Sequence, residues 1–73
     1  MKLFYFYPDS YYPTSAVVLA PDEEIAKQLI RAEVLKEYAY LEDGNGVFPS
    51  VDEMLERYVK TAPAGTVITM AQS

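Results

Sequence analysis

The segment Lys2-Leu3-Phe4-Tyr5-Phe6-Tyr7 constrains this chain more than any other stretch. In extended backbone, Phe4 and Phe6 share one face while Leu3, Tyr5 and Tyr7 share the other. Aromatic residues suit a pleated, half-buried surface, and only Leu3 favours a helix. Phenylalanine prefers a dry environment, whereas tyrosine tolerates a wet one. The segment therefore reads as a strand that needs a cover over its phenylalanines and leaves Tyr5 and Tyr7 on an open face. Lys2 falls on the phenylalanine side, where a terminal residue can bend out.

The cover is written further along. Pro8-Asp9-Ser10 and Pro13-Thr14 are turn chemistry. The apolar run Ala16-Val17-Val18-Leu19-Ala20 reads as a second strand, in a hairpin with the first. Pro21-Asp22-Glu23-Glu24 opens a helix: Asp22 can accept backbone N–H bonds as N-cap, and the glutamates suit the positive end of the helix dipole. Ile25, Ala26, Leu29, Ile30 and Val34 follow helical spacing, and Glu23 and Lys27 pair at i,i+4. The period blurs around Glu33 and Glu37, so the helix is expected to end between Glu37 and Tyr40.

Residues 41–49 read as a loop around Asp43-Gly44-Asn45-Gly46. Ser50-Val51-Asp52-Glu53 is a capping box, in which Ser50 bonds the N3 amide and Glu53 reaches back. The second helix carries Val51, Leu55, Tyr58, Val59 and Ala62 on one face, with Met54 beside it, and is expected to run on to Pro63 and Gly65. Residues 66–71 are β-branched and alternating and read as the third strand. The order β-β-α-α-β predicts an α+β fold: a two-layer sandwich of a three-stranded antiparallel sheet with two helices on one face. With 73 residues, the chain makes a single domain, 1–73, near the lower limit for a self-sufficient core.

Composition removes whole classes of function. There is no cysteine, hence no disulfide framework or thiolate metal site, and no histidine, the commonest general acid–base and metal ligand. No hydroxyl has a recognisable base at motif spacing, and there is no glycine-rich phosphate loop. Glu33, on the apolar stripe, could serve as an acid or base, although such a residue more often marks where a helix face rolls toward solvent. The protein reads as non-enzymatic, with no catalytic residue and no cofactor. Asp43-Gly44-Asn45-Gly46 resembles the middle of an EF-hand loop, with Phe48 at the apolar position. Leu41 and Asp52 nevertheless stand at the first and last ligand positions and Pro49 intrudes, so no metal is expected.

The apolar run 16–20 is far short of a membrane span of roughly 20 residues, and Pro8 and Asp9 interrupt any signal-peptide core. A soluble cytoplasmic protein is expected, with no membrane contact. The net charge of −5, from eleven acids and six bases, repels phosphate backbones, so direct nucleic-acid binding is not expected. Rings on an open sheet could stack single-stranded bases, but the first strand offers only Lys2 beside them. The charge suits instead another protein with a basic surface, including one that normally holds nucleic acid.

Six acids, Asp22, Glu23, Glu24, Asp52, Glu53 and Glu56, sit near helix starts, where dipole complementation accounts for them without a partner. It does not account for Asp9, Glu42 and Asp43. The expected partner-binding acids are Asp9, Asp22, Glu23, Glu24, Glu42 and Asp43. The expected rings are Tyr5, Tyr7, Tyr11 and Tyr12, of which Tyr11 and Tyr12 lie in the hairpin loop as the foremost anchors.

A very short acidic chain of β-β-α-α-β order, lacking Cys, His and Trp, resembles the small accessory proteins of phages and mobile elements. Among them it looks like the anti-CRISPR class, several of whose members are compact acidic folds that block a nucleic-acid groove. The resemblance is one of style over the whole chain and carries no motif, so it assigns no residue. It implies an inhibitor that masks a basic surface by DNA mimicry, inside a bacterial host cell. The competing class is an assembly module, a homodimer formed through the tyrosine-bearing open face or an edge strand.

Overall fold

Phe4 and Phe6 organise the molecule as their alternation requires. In a computed structural model that describes residues 1–8, 12–63 and 65, both rings are buried. They lie on strand β1, Lys2–Phe6, the middle strand of a three-stranded antiparallel sheet. Strand β2, Ala16–Ala20, pairs with one edge of β1, setting Phe4 beside Val18 and Tyr5 beside Val17. Strand β3, Val59–Thr61, pairs with the other edge, setting Phe6 beside Val59 and Tyr5 beside Lys60.

Two helices cover the phenylalanine face. Helix α1, Glu23–Glu37, starts where Asp22 predicts: its carboxylate accepts the Ile25 N–H at 2.9 Å. Its buried residues Ala26, Ile30 and Val34 recur every four positions and form one stripe on the sheet. Helix α2, Val51–Tyr58, starts at Ser50, whose hydroxyl accepts the Glu53 N–H at 3.3 Å. The Glu53 side chain does not complete the capping box; it pairs with Arg57 one turn on, at 3.0 Å. Val51, Met54 and Leu55 join the phenylalanines, Val59 and the α1 stripe in one core. The expected α+β two-layer arrangement is present: a three-stranded antiparallel sheet with both helices on one side.

Two boundaries differ from the sequence reading. The second helix stops at Tyr58, not near Pro63, and a strand, Val59–Thr61, forms where the helix was expected to continue; the strand expected over residues 66–71 lies outside the described residues. The Val59 N–H still closes the last helical turn on the Leu55 carbonyl, while its own backbone is already extended. From there Val59 and Thr61, both β-branched, stand opposite Phe6 and Phe4 and suit the extended course, while the backbone of Lys60, opposite Tyr5, and of Ala62, whose N–H bonds the Leu3 carbonyl at 2.9 Å, meets the open edge of β1. Val59 fits either pattern, four residues after Leu55 on a helix or opposite Phe6 on a sheet, and backbone pairing decides between them. The other difference is local: residues 41–49 are not wholly loop, because a 3₁₀ turn at Ala39–Glu42 folds back and buries Leu41.

Candidate functional site

The four tyrosines nominated from sequence do not form one patch. Tyr12 is a core residue, only 5% exposed, with its ring edge-on between Phe6 (centroids 6.0 Å apart) and Phe48 (5.9 Å). Tyr12, expected from the sequence as a foremost anchor, is therefore not displayed to a partner. The loop is long enough to fold its ring under Phe48, and an aromatic cluster of this kind stabilises a small core more than exposure would. Tyr5 and Tyr7 are on the open face as expected, Tyr5 half-buried between Val17 and Lys60 and Tyr7 exposed. Tyr11 and Asp9 lie outside the described residues.

The acids are also divided. Along the seam between α1 and α2, Lys27 Nζ lies 3.3 Å from Glu23 and 3.0 Å from Glu56. One turn further, Arg31 donates through Nε to Asp52 at 3.0 Å and through Nη2 to Glu42 at 3.1 Å. Lys27 and Arg31 are i,i+4 on α1, so both reach across to α2, while the 3₁₀ turn brings Glu42 to Arg31 from the side. The Lys27 stem is largely covered, its side chain 16% exposed, and its amine reaches the surface to be paired. Hydrogen bonding to Glu56 raises the Lys27 pKa above its ordinary value, with burial opposing and Glu23 reinforcing. Arg31 is held charged in the same way, first by Asp52 and then by Glu42.

Of the nominated acids, Glu23 and Glu42 are thus bound into an internal network and Asp22 caps α1. Glu24 and Asp43 carry no ion pair among the described residues; nor do Glu33 and Glu37, which sequence reasoning left out of the binding set. Glu33 is exposed, beside an open groove that it lines with Ala16, Val17 and Glu37.

The connection between α1 and α2 holds what sequence reasoning missed. Residues 37–48 contain Glu37, Glu42 and Asp43 and no base. The same segment displays Tyr40, 49% exposed, and Val47, 74% exposed. Tyr38 supports Tyr40 from the side, ring edge to ring face at 6.4 Å. Leu41 anchors the segment from beneath. Its far half is stiffened by Asn45, whose side-chain oxygen accepts both the Val47 and Phe48 N–H groups at 2.7 Å. Gly44 takes a left-handed φ of +78°, and a Cβ there would stand 2.8 Å from the Ser50 nitrogen, so the loop closes against the start of α2. The carboxamide that mimicked a calcium ligand in the sequence is engaged with its own backbone. The signal for this site was present as three unopposed acids bracketing a tyrosine, but a ring at a helix end reads equally well as core.

No protein-family model, curated protein or solved structure matches this chain. Among the described residues, no helix is long and apolar enough to cross a membrane.

Proposed function

We propose that this protein is a non-catalytic binding module that covers a basic surface on another protein, with the α1–α2 connection as its contact. The observation that carries the reading is the exposure of Tyr40 and Val47 in a segment whose only charges are the acids Glu37, Glu42 and Asp43. Tyrosine buries a large area at low rotamer cost, and interface cores favour such rings over charged residues. The surrounding acids and the net charge of −5 steer the approach to a positive surface. A groove that otherwise holds nucleic acid is the partner best matched by that charge, which agrees with the resemblance to phage-type inhibitors acting in a bacterial cytoplasm. Because Glu23 and Glu42 already neutralise Lys27 and Arg31, the charge supports steering more than a phosphate-like row.

The test is binding of the full chain to an immobilised panel of basic nucleic-acid-binding proteins, each with and without its own duplex. Capture that duplex displaces, that weakens with salt, and that falls about tenfold or more in Tyr40→Ala and in Asp43→Lys is expected. Asp43 is a cleaner choice than Glu42, whose reversal would also disturb Arg31. Capture indifferent to both substitutions, or no capture by any member, counts against the reading.

A further inference from the structure

Strand β2 has a second edge, and the pairing of β1 shows which groups lie along it. The Leu3 carbonyl accepts from Ala62, so the Leu3 backbone faces β3. Backbone groups alternate sides along a strand, so Lys2, Phe4 and Phe6 face β2, and their partners Ala20, Val18 and Ala16 face back. Val17 and Leu19 therefore point their N–H and C=O groups outward, where no strand meets them among the described residues.

The strand itself carries nothing that repels a neighbour. β2 contains no charge, proline or bulge, the features by which exposed edges are ordinarily blunted. At its Ala16–Val17 end the acids Glu33 and Glu37 line a shared groove with it, and the rest of its surroundings are apolar. On the open face, Val17 is 39% and Leu19 61% exposed. On the helical layer, Ile25 and Leu29 are exposed on the flank of α1 turned away from Lys27 and Arg31, hence away from α2 and beyond β2.

We propose that the protein forms a two-fold dimer in which β2 pairs antiparallel with β2 of a second copy, about an axis at Val18. That register sets Val17 opposite Leu19 of the partner and Leu19 opposite its Val17, so all the outward N–H and C=O groups of both copies are satisfied by one another. Every cross-strand pair is then apolar: Val17 with Leu19, Val18 with Val18, Ala16 with Ala20. Helix α1 returns over β2 from Pro21, so about two residues of strand correspond to four or five of helix, which puts Leu29 near the axis. The two α1 helices run antiparallel there. Lys36, seven residues after Leu29 on the same flank and without an ion pair among the described residues, meets the Asp22–Glu24 end of the other copy. A second copy is thus matched in backbone and apolar surface, with Lys36 set against the acidic start of the other α1. The dimer is independent of the proposed basic partner.

Sedimentation equilibrium of the full chain over a wide concentration range tests it. A reversible rise to twice the chain mass is expected. Val17→Pro removes an outward donor but no bond to β1, and Leu19→Lys places a charge on the edge; each raises the dissociation constant by about tenfold or more, with circular dichroism unchanged. Tyr40→Ala, on the α1–α2 connection, leaves it within about twofold. A monomer at every concentration overturns the proposal. So does a dimer indifferent to both edge substitutions but broken by Tyr5→Ala, which would place the contact on the open face. A monomer whose β2 edge is already protected would mean that another part of the chain fills it, and also overturns the proposal.

Discussion

The two flanks of α1 are dressed in opposite ways. The flank facing α2 carries Lys27 and Arg31, which gather Glu23, Glu56, Asp52 and Glu42 into ion pairs. The flank facing away carries Ile25 and Leu29, both exposed, above a strand without charge. In a self-contained small domain the polar flank would face water and the apolar one a neighbour. Here charge marks the seam that already has a neighbour, and apolarity marks the side that has none among the described residues. The difference teaches that this fold keeps its cations in a seam already closed and leaves apolar side chains exposed beside β2; the proposed dimer rests on the second, and the proposed basic partner on the acidic connection.

The sharpest way to break this division is to compare two tyrosines. Tyr12 belongs to the core beneath both regions, and Tyr40 to the displayed connection. Tyr12→Ala is expected to cost about 3 kcal/mol or more, a large part of the stability of so small a domain, and Tyr40→Ala to stay within about 0.5 kcal/mol. Urea denaturation of the two variants reads the difference directly. Similar costs would show that the connection is structural and not a displayed surface.

A smaller effect sharpens the seam. The Lys27 pKa is raised in the folded state, so its contribution to stability is complete below the ordinary lysine value and is lost as pH rises through the raised one. Stability is therefore expected to be insensitive to Lys27 up to about pH 10 and to decline above it. Surface pairs of this kind contribute roughly 0.2–1 kcal/mol, so the decline is shallow. Lys27→Met should remove that alkaline component when melting is followed across pH; an unchanged profile would mean that the Lys27–Glu56 pair contributes nothing measurable.

Much of the fold was legible because several residues have only one local solution. The alternation of Phe4 and Phe6 with Tyr5 and Tyr7, the Asp22 cap and the Ser50 cap each determine geometry within a few residues. The length of α2 was not legible, because Val59 satisfies a helical and a strand pattern equally and only the distant edge of β1 separates them. Tyr12 was misread for a related reason: a tyrosine in a loop is exposed unless something comes to cover it, and Phe48 comes from thirty-six residues away. For the candidate site, the acids could be read from sequence but their partners could not. Arg31 meets Glu42 only because Leu41 draws the 3₁₀ turn onto the core, leaving Tyr40 and Asp43 as the displayed groups.

The most direct test of the outward-facing edge is hydrogen exchange at three consecutive amides of β2, measured on the full chain at low and high concentration. The Val18 N–H is bonded to β1 and should be protected equally at both. The Val17 and Leu19 N–H groups should exchange freely when dilute and become protected together as concentration rises. Protection of all three that is independent of concentration, or free exchange at Val17 and Leu19 throughout, would contradict the account.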